Sequence, residues 1–236
     1  MSVYALARSP THEFSKTPVQ ELTLLTGLGI EGDCHLGVTV QHRSRLHINP
    51  PPPNLRQVHL IPKEILDERS VKPGEIGENV TTVGIDLLAL GRGTRLHFLP
   101  PLPATTTAPS PSPSEEGGSS GGSGASEEGA RGDGDGDGDG DGDGDGDGDR
   151  DGPEDYYKQG DHAVVVLQGV RNPCPQIDRF RAGLKETFLV RDEERRIVRR
   201  LAGVMGTVER GGVITVGMRI VVEEPEGGVF EELGCV

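Results

Sequence analysis

The chain has 236 residues, 38 acidic and 24 basic side chains, and a formal net charge of −14. With 36 Gly, 18 Pro, three Tyr, five Phe and no Trp, its average composition is that of a poor globule. The average conceals two compositions. Residues 100–155 carry sixteen acids, including the alternating run from Asp133 to Asp149, against the bases Arg131 and Arg150. The other 180 residues carry 22 acids and 22 bases, which leaves them neutral and long enough for one ordinary domain with a core.

This distribution excludes several classes. No apolar run approaches the ~20 residues of a membrane helix, and Met1–Pro10 lacks the pattern of a secretory signal. No basic footprint for nucleic acid is present. Cys34, Cys174 and Cys235 are odd in number and far apart, which argues against a disulfide framework and for a reducing compartment. A cytoplasmic protein is the expectation, with no membrane and no nucleic acid among its partners.

The segments on either side of 100–155 read as short strands parted by glycine turns. In chain order these are Val3–Arg8, Glu21–Leu25, Val58–Ile61, Asn79–Val83, Thr94–Phe98, Ala163–Gln168, Val204–Val208, Val213–Val216 and Arg219–Val222. The uninterrupted Val164–Leu167 predicts a central strand buried on both faces. Three helices are predicted: one after Pro62 over Lys63–Glu68, one around Pro175–Arg181, and one over Glu186–Leu201. Many strands and few helices indicate a mainly β fold, a closed or nearly closed barrel. Residues 100–155, rich in Pro, Ser and Gly and then an Asp-Gly repeat, predict a disordered insertion within one discontinuous domain of 1–99 and 156–236.

Four stretches carry chemistry. Gly27–Gly37 packs four glycines around Asp33, Cys34 and His35, an acceptor and a titratable ring on a tight loop; it reads equally as a structural turn. His42, Arg43, Arg45, His47, Arg56 and His59 offer cations for an anionic group such as a phosphate, or form a solvated basic loop. In Pro73–Gly84, Gly77, Glu78, Asn79 and Thr81 lead from a turn into a strand, with Gly77 and Asn79 suited to unusual backbone angles or to presenting amides. Arg171-Asn172-Pro173-Cys174-Pro175 is the sharpest. A cysteine between two prolines, just past a buried strand, is presented rigidly, and Arg171 favours its thiolate where both point the same way. No Cys-x-x-Cys occurs, so structural zinc has little support; a site from Cys34, His35, His59 and Cys174 is a minor alternative. Cys235 is expected to fray.

In this order, Gly29–Gly37, Asn54–Ile61, Pro73–Thr82, Arg171–Cys174 and Gly203–Gly217 resemble the MOSC domain, the C-terminal domain of molybdenum cofactor sulfurases and its stand-alone relatives. The resemblance implies a pyruvate-kinase-like β-barrel with a few peripheral helices. It implies that Cys174 ligates molybdenum or carries sulfur, with a molybdenum cofactor (molybdopterin) bound. It also suggests a reductase of N-hydroxylated small molecules supplied by a separate electron donor, with Arg56 and Arg171 on the pterin phosphate and Asp33 and His35 handling protons. Gly77, Glu78, Asn79 and Thr81 would complete the cofactor pocket. A sulfur-carrier module fed by a sulfur donor protein, and a non-catalytic cofactor-binding barrel, are the alternatives. Pyridoxal phosphate, bound by the other domain of the large sulfurases, is not expected on this chain.

Overall fold

The computed structural model describes all residues except 43, 44, 46, 102–159, 226, 228 and 229. Arg43 and almost all of the acidic insertion therefore lie outside the described residues. The first strands are β1 (Ser2–Arg8), β2 (Thr17–Val19), β3 (Glu21–Leu25), β4 (Gly29–Ile30) and β5 (Val58–Pro62). Helix α1 (Lys63–Glu68), β6 (Val80–Val83), β7 (Arg95–Leu99) and β8 (Val164–Val170) follow. The last part holds α2 (Pro175–Phe180), α3 (Leu184–Thr187), β9 (Leu189–Arg191), β10 (Ile197–Arg200), β11 (Val204–Arg210), β12 (Gly212–Thr215) and β13 (Arg219–Glu223).

Seven strands close on themselves in the order β1-β13-β7-β8-β11-β5-β6, and β6 returns to β1. Only β5 and β6 run parallel; a parallel pair needs a crossover, and the chain supplies it through α1. Closure leaves the barrel without an open edge, which suits strands this short. Residues 102–159 join β7 to β8, hydrogen-bonded neighbours with Arg95 opposite Val166, so the acidic segment occupies a hairpin connection.

Alternate residues of the barrel strands, including Leu60, Val80, Leu96, Phe98, Val165 and Val204, fill the interior. Leu22, Leu24, Ile30 and Ile214 of a small β12-β3-β4 sheet join that core. A second cluster of Ile61, Leu66, Ile76, Ile177, Leu184 and Phe188 lies on the other face of β5, against the helices. Every residue of β5 is buried for this reason. The doubly buried central strand expected at Val164–Leu167 is central, but Val166 and Gln168 are partly exposed, and β5 takes that role instead.

Two helices fall where expected, although Pro62 is the N-cap rather than the first helical residue. The third does not. Helix α3 ends at Thr187, and the rest of the predicted span is the β9-β10 hairpin. Charges interleaved with Val190, Ile197 and Val198 suit a solvent-facing hairpin as well as a helix. Asp192 decides between them, because its carboxylate accepts from Arg196 N at 2.8 Å while Arg195 takes φ 65°. Cys235 does not fray: it bridges to Val170, with Val170 N donating to Gly234 O at 2.8 Å. All three cysteines are free thiols. Among the described residues no helix is long and apolar enough to cross a membrane.

Candidate functional site

The loop Gly27–Gly37 leaves β3 and is folded by its own backbone bonds, including Asp33 N to Ile30 O and Gly37 N to Leu28 O. Asn54 fastens it from outside, donating to His35 O and Gly37 O at 2.8 and 2.9 Å. Asp33 ends up buried. Its Oδ2 accepts from Lys16 Nζ at 2.7 Å, Asn79 Nδ2 at 3.0 Å and Ser9 N at 3.3 Å. Its Oδ1 accepts from His35 N and faces His35 Nδ1 at 3.1 Å. Burial would raise the Asp33 carboxyl, but the hydrogen bonds from His35 and the Lys16 ammonium hold it well below the usual carboxylate range. Burial in turn pushes Lys16 down, and the Asp33 charge opposes that shift. An ionised Asp33 makes His35 Nδ1 the donor and leaves Nε2 as the nitrogen able to take a proton.

Past β8 the chain runs into Arg171 and the proline-flanked loop. Cys174 is the extended N-cap of α2, with φ −92° and ψ 162°, as Pro175 requires. It leans on the second apolar cluster and stays partly exposed. Arg171 is buried, its NH1 donating to Ile76 O at 2.7 Å. Burial lowers its guanidinium, an effect only partly opposed by Cys174 and Glu78. His59 backs it: Nε2 lies 2.8 Å from Ala202 O and so carries the proton, which leaves Nδ1 to face Arg171. Burial and the Arg171 charge keep this imidazole neutral.

Cys174, His35, Arg56, Arg171, Gly77 and Asn79, from four distant stretches, line one cavity of about 80 Å³. It adjoins a wider recess of about 280 Å³ that shares Glu13, His35, His42, Cys174 and Gln176. Arg56 lines the cavity, and its guanidinium has no hydrogen bond or ion pair among the described residues. Burial and the neighbouring Arg171 and Arg45 lower it to about 10, so it stays cationic at neutral pH. His42 is brought down to about 4 by burial and by Arg56.

Three expected site residues have structural partners within the chain. Glu78 and Thr81 do not line the cavity. Glu78 Oε1 accepts from Gly74 N and from Thr81 Oγ1, and burial raises its carboxyl. Its Oε2 has no hydrogen-bond partner among the described residues. Asn79 reaches the cavity wall, but its amide ties Asp33, Ala7 O and His59 N together. Gly77 does need its glycine, with φ 85° and Phe14 O only 2.5 Å from where a Cβ would stand. Gly77→Ala should cost about 1–3 kcal/mol in urea unfolding. The cysteine–histidine set with His59 does not assemble either, since His59 is turned to Ala202 O.

Lys16, Glu13 and Gln176 were missed. Lys16 sits in a polar stretch, and nothing in its sequence context marks it as the partner of Asp33. The neutral histidines carry a pH prediction. Below about pH 6.5 the unfolded chain takes up protons that His59 and His42 refuse in the fold, so stability falls with acidification. Unfolding free energy measured from pH 7 to 5 should decline by about 2 kcal/mol in total for each fully excluded imidazole, the slope approaching about 1.4 kcal/mol per pH unit only below the unfolded value. His59→Gln should remove one such share.

The described residues form a mainly β fold, a closed mixed barrel of seven strands with a few peripheral helices, as the sequence predicts. The crystal structure of the YuaD protein from Bacillus subtilis matches with a TM-score of 0.56 and 20% identity, over 95% of this chain and 96% of that one. The YiiM structures from Escherichia coli and Geobacillus stearothermophilus match at 0.46 and 14% identity, over 98% of this chain and 74% and 77% of theirs. No protein-family model matches the chain, and no curated protein matches it in sequence. The likeness to YuaD is one of fold.

Proposed function

We propose that the cavity binds a molybdenum cofactor through Cys174 and that the protein reduces N-hydroxylated small molecules. The observation that carries this reading is the convergence of one partly exposed thiol with two guanidiniums, Arg56 and Arg171, on a single polar cavity. The donor set fits such a group: a soft sulfur for the metal, and cations for an anionic phosphate. When bound, the cofactor would supply a two-electron metal centre that accepts oxygen from substrate.

Cys174 would hold the metal on a loop stiffened by Pro173 and Pro175. Arg56, whose guanidinium donates to none of the described residues, would grip the phosphate, and Arg171, held by Ile76 O and His59, would add fixed positive charge. His35 would carry protons at Nε2, kept in that tautomer by Asp33. Gln176 and His42 would border the substrate approach through the wider recess. Electrons would come from a separate cytoplasmic protein, since the chain carries no flavin, haem or iron–sulfur motif. Sulfur carriage on Cys174 is the second reading, favoured by the same exposed thiol.

The test is metal analysis and pterin fluorescence of protein purified from a cofactor-producing host, followed by turnover of an N-hydroxylated base with an artificial donor. Molybdenum bound with reductase activity is the expected result. Metal-free, inactive protein after cofactor supply overturns it.

A further inference from the structure

Asp33, Cys34 and His35 stand beside one another in the chain, and three successive side chains ordinarily diverge. Here the backbone curls them together. Asp33 N donates to Ile30 O, Leu36 N to Asp33 O, and Cys34 N is pinned to Ser9 O at 2.8 Å. The ligand atoms Asp33 Oδ1, Cys34 Sγ and His35 Nδ1 form a triangle with edges of 3.1, 3.2 and 3.9 Å. Bonds of about 2.0–2.3 Å to a tetrahedral ion demand edges of about 3.3–3.6 Å. Among the described residues this is the only group of three such side chains drawn so close.

We propose that Asp33, Cys34 and His35 form a binding site for a divalent cation of the zinc class, one that does not use Cys174. Two of the ligands, Asp33 and His35, are already supported, while burial and the Asp33 charge push the Cys34 thiol up to about 11, so that the ion itself must draw off its proton. Three donors hold Asp33 Oδ2 and leave Oδ1 turned toward the sulfur and the imidazole. The His35 ring stacks on His12 at 5.5 Å with planes 8° apart, and Asn54 holds its carbonyl. Such outer contacts orient the ligands of protein metal sites. A mixed sulfur, nitrogen and oxygen set selects zinc-like ions over magnesium or calcium, which take oxygen. Cys34 and His35 are partly exposed, so an ion can enter, and water completes its coordination.

The proton balance is simple. The Cys34 thiol becomes a thiolate and releases one proton to solvent; the His35 proton shared with Asp33 moves to Nε2 as the ion takes Nδ1. The site goes beyond the cofactor reading and does not depend on it; an ion on Nδ1 replaces the Asp33 hydrogen bond and withdraws His35 from the proton transfer of that reading.

Titration of the full-length, metal-free protein with Co(II) tests it. A near-ultraviolet thiolate-to-cobalt band should appear, saturate at about one equivalent and vanish on adding Zn(II). It should persist in Cys174→Ser. In Cys34→Ser and in His35→Gln, binding should weaken at least about tenfold. Circular dichroism checks that each variant is folded, and the two ligand variants give independent answers. The absence of a band in wild type, or a band that survives Cys34→Ser and is lost in Cys174→Ser, overturns the proposal. Molybdenum content measured on the same variants keeps the two readings distinguishable, because the cofactor reading predicts loss only with Cys174.

Discussion

Cys174→Ser should strip molybdenum to background while the barrel stays folded. The thiol is partly exposed, its hydrogen bond to Gln176 Oε1 at 3.7 Å is weak, and Arg171 lies beside it. Serine keeps the size of the side chain and the extended N-cap backbone that Pro175 demands. A substitution of this kind costs within about 1 kcal/mol, a few degrees of melting temperature at most. The hydroxyl cannot replace a soft thiolate on the metal. Elemental analysis beside a thermal melt separates the two effects. Full metal in the folded variant would falsify the ligand role. An extra sulfur atom on the wild-type Cys174 peptide after incubation with a cysteine desulfurase, in protein that takes up no molybdenum, would move the reading to sulfur carriage.

The largest expected loss of stability belongs to Asp33→Ala. The Lys16 ammonium and the Asp33 carboxylate are 3% and 0% exposed and lie 2.7 Å apart. Removing the acid strands a buried ammonium and takes from Asn79 Nδ2 one of its two acceptors, for about 3–5 kcal/mol. In a Lys16→Met background the same change should cost less than half as much, because no charge is left uncompensated. Equal costs in the two backgrounds would show that the ion pair is not the source. The sign with pH follows from the depressed carboxyl. Its stabilisation is present above about pH 3.9, the unfolded value, and is lost as acid drives the pH toward the lower folded one. That window lies below the one assigned to the histidines, so urea unfolding across pH resolves the two.

Much of the barrel was legible because strand signals are local. Val58–Ile61, Asn79–Val83, Val204–Val208 and their glycine turns carry apolar side chains at the strand period, and each became a strand. The two-residue β4 and three-residue β2 left no periodic trace. Glu186–Leu201 was misread because its spacing of apolar and charged residues fits two local structures, and an aspartate-capped turn chose between them. In the candidate site, Cys174 was legible from its prolines. Glu78 and Thr81 were not separable from cavity residues by sequence, because burial against Gly74 and within β6 is a property of the packed loop.

The residues alone determined a neutral domain carrying an acidic segment between two strands, a barrel class, and a thiol on a stiff loop. These follow from composition, from period two and from the fixed φ of proline, all of which act within a few residues. Only the tertiary structure decided that Arg56 and Arg171 face one cavity, that Lys16 neutralises Asp33, and that Cys34 meets His35 and Asp33 at one point. Those pairings join residues far apart in the chain or reverse the usual divergence of neighbours. Barrel closure and the burial of charge set them, and both depend on the whole fold at once.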